Sequence, residues 1–140
     1  MTDQPTVNRY LKDTAFDHID HALGRPVNPL RESYRNRFVI DVDAPDAAAF
    51  RASPNWTDGR EVLGTLCFHV TDHGRRALYD HLRHIGERHR HFVVTWNGSE
   101  IATASKSHSA AKYDVWLDVS DAVDIPFGEF LKTARVRLAA

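Results

Sequence analysis

The fold of this chain is decided by residues 68–82, which read FHVTDHGRRALYDHL. Leu66, Phe68 and Val70 alternate with more polar neighbours, as in a strand with one buried face. Thr71 then suits a helix N-cap, because its hydroxyl can accept a hydrogen bond from a backbone N–H of the first turn. An apolar stripe with helical spacing follows, and it consists of Ala77, Leu78, His81, Leu82 and Ile85. Gly86 stands where a glycine often ends a helix.

Three helices are predicted before this stretch. The first begins at Asp13 or Thr14 and ends at Gly24, which Pro26 follows. The second begins at Asn28 and Pro29, and its apolar residues fall four apart at Leu30, Tyr34 and Phe38. The third is short: it runs from about Pro45 to Phe50, and Pro54 stops it. The turn signals at Asp58-Gly59 and at Gly64 then predict a hairpin of two short strands.

A second pattern begins after the polar segment 87–91. Residues 92–96 read as a strand, Asn97-Gly98 is a strong two-residue hairpin signal, and residues 100–106 read as the returning strand. Ser107 or Ser109 then caps a helix. Residues 124–127 start a further short helix, and residues 135–138 close the chain as a strand. The sequence therefore predicts an α+β protein with a flexible arm at 1–12, a first module at 13–88, and a ββα-type module at 91–140 packed on the first.

The composition is that of an ordinary globular domain. The chain has 140 residues, of which 42% are hydrophobic and 26% charged, and its formal net charge is -1. The lone Cys67 cannot form an internal disulfide, which fits a reducing compartment. Because no apolar run is long enough to span a bilayer and the N-terminus does not resemble a signal peptide, we expect a cytoplasmic protein with no membrane partner.

Several short blocks carry a resemblance to known proteins. The strand, threonine cap and Gly74-Arg75 resemble the last wing strand and closing helix of winged-helix domains. Three blocks occur in one order: residues 21–24 (HALG), residues 34–36 (YRN) with Phe38, and residues 68–71 (FHVT) with Gly74-Arg75. Together they resemble small uncharacterised proteins of phages and prophages with a degenerate winged-helix module. The resemblance implies a phage origin, and hence the cytoplasm of an infected or lysogenic bacterial host.

No residue pattern points to catalysis or to a metal. Zinc needs three or four converging Cys, His or acidic ligands, and the histidine pairs along the chain do not supply such a set. We expect His81, on the apolar stripe, to be a core histidine, and Cys67, within a strand, to be an inert thiol. The serines at 105, 107 and 109 read as a capping run and not as a nucleophile elbow. The sequence therefore predicts a protein that is not an enzyme and that holds no cofactor or metal.

Arginines form the main candidate surface. Residues 72–91 hold five arginines against three acidic residues, a formal charge of +2, together with five histidines. Two further arginines alternate with apolar residues in the last strand, so both leave the same face. We call these seven residues the arginine belt: Arg75, Arg76, Arg83, Arg88, Arg90, Arg135 and Arg137. The secondary binding candidates are Tyr34, Arg35, Asn36 and Trp56. A belt of this kind can hold phosphates, and an ordinary solvated helix face is the other interpretation.

The expected function follows from this surface. We expect a non-enzymatic phage-type protein that associates with nucleic acid or a host nucleoprotein through the arginine belt. The alternative is an inhibitor that binds a host protein, such as a component of a bacterial defence system of the CRISPR–Cas kind. A metal-dependent enzyme is the third possibility. The predicted third helix offers only Arg51 to base edges, so the sequence argues against direct reading of a DNA sequence.

Overall fold

A computed structural model describes residues 4–139. The protein is α+β with two small antiparallel sheets, which confirms the predicted class. The chain divides into two compact units, one of residues 8–87 and one of residues 88–139 with residues 4–7. Residues 1–3 of the predicted arm, and the last residue of the predicted second module, lie outside the described part of the chain.

The first unit holds three helices and a three-stranded sheet. In chain order its elements are α1 (Thr14–Leu23), β1 (Phe38–Asp41), α2 (Ala47–Ala52), β2 (Arg60–Val62), β3 (Thr65–Phe68) and α3 (Asp72–His84). The sheet order is β1-β3-β2, and both pairings are antiparallel. The predicted hairpin and the predicted first, third and last helices of this module are therefore confirmed.

The predicted caps explain where these helices begin and end. The Asp13 side chain accepts hydrogen bonds from the first turn of α1, and Gly24 ends that helix with φ 81°. Thr71 Oγ1 accepts from the Gly74 N–H at 3.1 Å, and the same hydroxyl donates to the Pro54 carbonyl at 2.6 Å. Gly86 follows α3 with φ 75°, a conformation that glycine adopts without steric cost.

The predicted second helix is wrong, because residues 28–37 contain no helix and Phe38 begins a strand. Contacts distant in sequence outweigh the helical spacing here. Phe38 lies opposite Phe68 in the sheet. The Asn36 side chain donates to the Val70 carbonyl at 3.0 Å and accepts from the Val70 N–H at 2.7 Å, so it imitates one pair of strand hydrogen bonds.

The end of the predicted arm is built into the first unit. Arg9 is 8% exposed, and its guanidinium bonds both oxygens of the fully buried Asp20, at 3.0 and 2.6 Å. Arg25 bonds Asp20 at 3.1 Å and Asp17 at 2.7 Å. The structure thus differs from a loose arm at residues 9–11, because a buried carboxylate needs these partners to offset its lost hydration.

Aromatic side chains fill the core of the first unit. Phe50 lies 5.1 Å from Trp56 and 5.2 Å from Phe68 between ring centroids. The fully buried Leu66 and Leu78 complete this core from the sheet and from α3. Trp56 is 8% exposed, so this secondary binding candidate is a core residue and not part of a surface.

The second unit contains the predicted hairpin, helices and closing strand. Its elements are β4 (Arg90–Trp96), β5 (Ser99–Ser105), α4 (His108–Ser120), α5 (Phe127–Thr133) and β6 (Arg135–Leu138). The sheet order is β5-β4-β6, with both pairings antiparallel. Asn97 and Gly98 form the turn with φ 51° and 78°, and Ser107 caps α4. Within residues 4–139, no helix combines the length and apolar character needed to cross a bilayer.

Candidate functional site

Arg75 fixes the irregular segment 28–37 against the first turns of α3. Its Nη1 donates to the carbonyl oxygens of Pro29 at 3.0 Å and Arg31 at 2.9 Å, and its Nη2 lies 3.4 Å from Ser33 Oγ. Burial lowers the pKa of the Arg75 guanidinium below its usual value. Arg75 was predicted to bind a partner. Its donors are instead directed at the protein's own backbone, and its role is to position the segment.

The same segment presents an exposed tyrosine. Arg35 donates from Nε and Nη2 to the His21 carbonyl, at 3.2 and 2.6 Å, and its guanidinium lies 5.4 Å from the Tyr34 ring centroid. The Tyr34 ring packs on Gly24, where a side chain would collide with it, and Tyr34 remains 55% exposed. Three of the four secondary candidates therefore lie together, but Arg35 and Asn36 hold the backbone and Tyr34 alone is strongly exposed.

Two arginines of the belt flank one tyrosine on the outer face of α3. The guanidinium carbons of Arg76 and Arg83 lie 5.4 and 5.8 Å from the Tyr79 ring centroid. Arg83 Nη1 also lies 3.2 Å from the Tyr79 hydroxyl, a hydrogen bond that raises the pKa of Arg83. Arg76 pairs with Asp80 one turn along at 3.3 Å, and both side chains are more than half exposed. Exposed pairs of this kind are weak, so a ligand can replace them.

These two features form one positively charged region, which we call the loop–α3 surface: residues 28–37 and 72–84. It holds six arginines against one glutamate and two aspartates, a formal charge of +3. By contrast, residues 38–50 and 61–66 hold four carboxylates and no lysine or arginine. These two acidic stretches meet where the Val42 N–H donates to the Gly64 carbonyl at 3.0 Å. The near-zero net charge of the chain thus hides two regions of opposite sign.

The other four arginines of the belt lie in the second unit. Arg90 donates to the His89 carbonyl at 2.9 Å, and Arg137 pairs with Glu100 at 2.9 Å. Arg135 and Arg137 leave the same face of β6, as their spacing predicts, and both are exposed, as is Arg88. The seven arginines are therefore divided between the two units, three on α3 and four in the second unit.

Four histidines of the described residues pack against aromatic rings: His18, His21, His81 and His108. His81 is half-buried and stacks on Phe16 with ring centroids 4.0 Å apart, and the His18 ring lies 4.9 Å from Phe38 and 5.7 Å from Phe50. Burial, more than any nearby charge, lowers the pKa of His21. Over residues 4–139, no three His, Cys, Asp or Glu side chains converge as metal ligands would.

Ser105 is the one buried serine among residues 4–139, yet its surroundings are not those of a nucleophile. Its hydroxyl donates to Asp114 Oδ2 at 2.6 Å, and it also lies 3.1 Å from the Thr103 hydroxyl. No histidine is among its hydrogen-bond partners in the described residues. Such an arrangement ties the end of β5 to α4, and it lacks the base that an activated serine needs.

Sequence reasoning missed Leu63, which is the most exposed large apolar side chain of the described residues. Leu63 and Gly64 form the two-residue turn between β2 and β3, with φ 51° and 81°. Leu63 is 99% exposed and Val62 beside it is 47% exposed. The signal in the sequence was a leucine before Gly64 in a turn that favours asparagine or aspartate at that position.

A scan against protein-family models found no match, and searches of curated proteins and of solved structures likewise found none.

Proposed function

We propose that the chain is a non-enzymatic binding protein that associates with nucleic acid or a nucleoprotein through the loop–α3 surface. The observation that carries this proposal is the set of Arg75 hydrogen bonds, which joins an arginine-rich segment to the arginines of α3. Such a surface suits phosphates, because arginine donors match phosphate oxygens and release the counterions that surround them.

The mode of binding that we propose is backbone contact with base stacking. The first unit is winged-helix-like in this proposal, since a hairpin precedes the Thr71-capped α3. However, α2 has only six residues, and its exposed residues are three alanines and a single arginine: Ala48, Ala49, Ala52 and Arg51. The helix α2 therefore offers few hydrogen-bond donors to the edges of bases. Exposed Tyr34 offers a face on which an unpaired base can stack, so single strands suit this surface better than a duplex.

The setting that we propose follows the resemblance to phage and prophage proteins. The chain would then act in the cytoplasm of a bacterial host, where its partner is a host or phage nucleoprotein.

Charge reversal on α3 tests the proposal. Anisotropy titrations with labelled single-stranded and duplex DNA and RNA would compare the wild type with Arg76→Glu/Arg83→Glu. We expect binding to weaken about tenfold or more for every sequence, and the slope of log affinity against log salt to fall by about 1.5 to 2, as for two lost phosphate contacts.

The matched control is Arg51→Glu/Arg60→Glu, which makes the same charge change at two exposed arginines outside the loop–α3 surface. It should retain affinity within about twofold. An equal loss in both double variants would mean that net charge alone drives binding and would reject the surface. Failure of the wild type to bind any of the four probes at low salt would reject nucleic acid as the partner.

A second candidate function, inhibition of a host protein, is favoured by the hairpin tip. Leu63 is almost fully exposed, and it lies in the acidic stretch 61–66, which meets the acidic stretch 38–50 at the bond between Val42 and Gly64. Phosphates would be repelled there, whereas an apolar pocket rimmed by lysine or arginine on a defence protein would fit. In this case the wild type would show no nucleic-acid binding in the titrations above, and would form a salt-sensitive complex with one purified host protein.

A further inference from the structure

The free edge of β5 carries a row of backbone groups that no described strand pairs. The two-residue turn at Asn97-Gly98 makes Trp96 and Ser99 the first hydrogen-bonded pair of the hairpin. The backbone groups of Ser99, Ile101, Thr103 and Ser105 therefore face β4. Those of Glu100, Ala102 and Ala104 point away from the sheet, because successive residues of a strand alternate in direction.

This edge lacks the usual protection against pairing. The opposite edge of the sheet, β6, carries the exposed side chains of Arg135 and Arg137. Charged side chains of this kind keep a further strand away. Between Glu100 and Lys106, β5 has only small or uncharged residues, and its central outward residue, the exposed Ala102, has a mere methyl group. A seven-residue edge of this type can accept another strand.

We propose that the β5 edge is the interface of a homodimer, in which two β5 strands pair antiparallel about Thr103. This register places Ala102 opposite Ala104 twice, and Glu100 opposite Lys106 twice. Glu100, Ala102 and Ala104 direct their backbone groups to the free edge, and Lys106 directly follows the end of β5, so both alanine pairs can exchange two hydrogen bonds each. The two sheets would join into one sheet of six strands. This interface is independent of the function proposed above.

Charge selects this register over its neighbours. A shift that centres the pairing on Ala102 would set Glu100 opposite Ala104 and leave the glutamate without a cation across the interface. A pairing centred between two residues would place some of the backbone groups that already bond β4 opposite the partner strand. Glu100 Oε2 bonds Arg137 within the chain at 2.9 Å, and because both side chains are more than half exposed, the glutamate can exchange this weak pair for Lys106 of the second copy.

Sedimentation equilibrium on the full chain tests the interface. From about 1 to about 200 µM, we expect the wild type to pass from monomer to dimer. Lys106→Glu places like charges opposite each other and should weaken dimerisation about tenfold or more. The swap Glu100→Lys/Lys106→Glu restores opposite charges and should return the dimer constant to within about threefold of the wild type. Lys132→Glu, the same charge change on exposed α5, should have no effect.

A second variant tests the backbone pairing itself. The Ala102 N–H points away from β4, so Ala102→Pro removes an edge donor without breaking the existing hairpin. Circular dichroism should show the wild-type fold while the dimer is lost. A wild type that stays monomeric over the whole range would overturn the interface. A swap variant that fails to recover from the Lys106→Glu defect would overturn this register.

Discussion

At the scale of single residues, buried and half-buried arginines organise the first unit. Arg9 and Arg25 surround Asp20, which has no exposed surface, and Arg25 also bonds Asp17 at 2.7 Å. A buried carboxylate without such partners would cost several kcal/mol, about 3 to 5 when one partner is removed. This network ties the backbone before α1 to the turn after it, and a sequence alone could not reveal it, because Arg9 and Asp20 lie eleven residues apart.

Asp17 makes part of this stability depend on pH. Its hydrogen bond with Arg25 lowers the pKa of Asp17 below the usual value of an aspartate. The folded state thus binds the proton more weakly than the unfolded chain. The contribution is present in full above about pH 5 and is lost as the pH falls below about 4 and through the lowered pKa of the folded state.

We therefore expect Asp17→Asn to be less stable than the wild type at pH 7, by a margin that shrinks steadily as the pH falls below about 5. Urea unfolding at a series of pH values, followed by tryptophan fluorescence, measures that margin. Asp43→Asn serves as the control, because exposed Asp43 has no ion pair among the described residues. A margin that stays constant with pH would show that Asp17 acts without its charge.

At the scale of elements, the features that depend on local sequence signals were predicted correctly. The contacts between residues distant in sequence were not predicted. Asp13, Thr71 and the Asn97-Gly98 turn stand where the sequence predicted them, because capping and turn formation depend on neighbours in the chain. The helix predicted at residues 28–38 failed for the opposite reason. Its apolar spacing is helical, but pairing of Phe38 with Phe68 and the bonds of Asn36 to Val70 take the segment into the sheet.

The two hairpins allow a matched comparison of turn residues. Leu63-Gly64 and Asn97-Gly98 have nearly the same backbone, with φ 51° at both first positions. Left-handed backbone costs a leucine about 1 kcal/mol more than it costs an asparagine. We expect Leu63→Asn to raise the free energy of unfolding by about 1 kcal/mol and Asn97→Leu to lower it by a similar amount.

Urea unfolding of the two variants beside the wild type measures both changes. Opposite signs are the essential result, because the two substitutions exchange the same pair of side chains between equivalent turns. If Leu63→Asn lowers the free energy of unfolding, then Leu63 makes a stabilising contact in solution that outweighs the strain of its backbone.

At the scale of the whole molecule, composition concealed the charge distribution. A net charge of -1 by itself gives no bulk attraction to nucleic acid. The first unit nevertheless holds six arginines in the loop–α3 surface, which the Arg75 hydrogen bonds join, and four carboxylates in the stretches 38–50 and 61–66. The seven-arginine belt was predicted as one surface from helix and strand periodicity. Periodicity orients residues within an element, and it does not say which arginines will be used internally, as Arg75 is, or which compact unit will hold them.

The Arg75 hydrogen bonds have a consequence for how tightly any ligand can bind. Ten residues without regular structure would ordinarily have to be ordered when a partner arrives, at a cost of roughly 1 kcal/mol or more of conformational entropy for each backbone residue fixed. Here one guanidinium holds three points of that segment before the encounter. The ordering has already taken place during folding, so binding at Tyr34 and its neighbouring arginines does not pay this entropy again, and the loss of translational and rotational freedom is the main cost that remains.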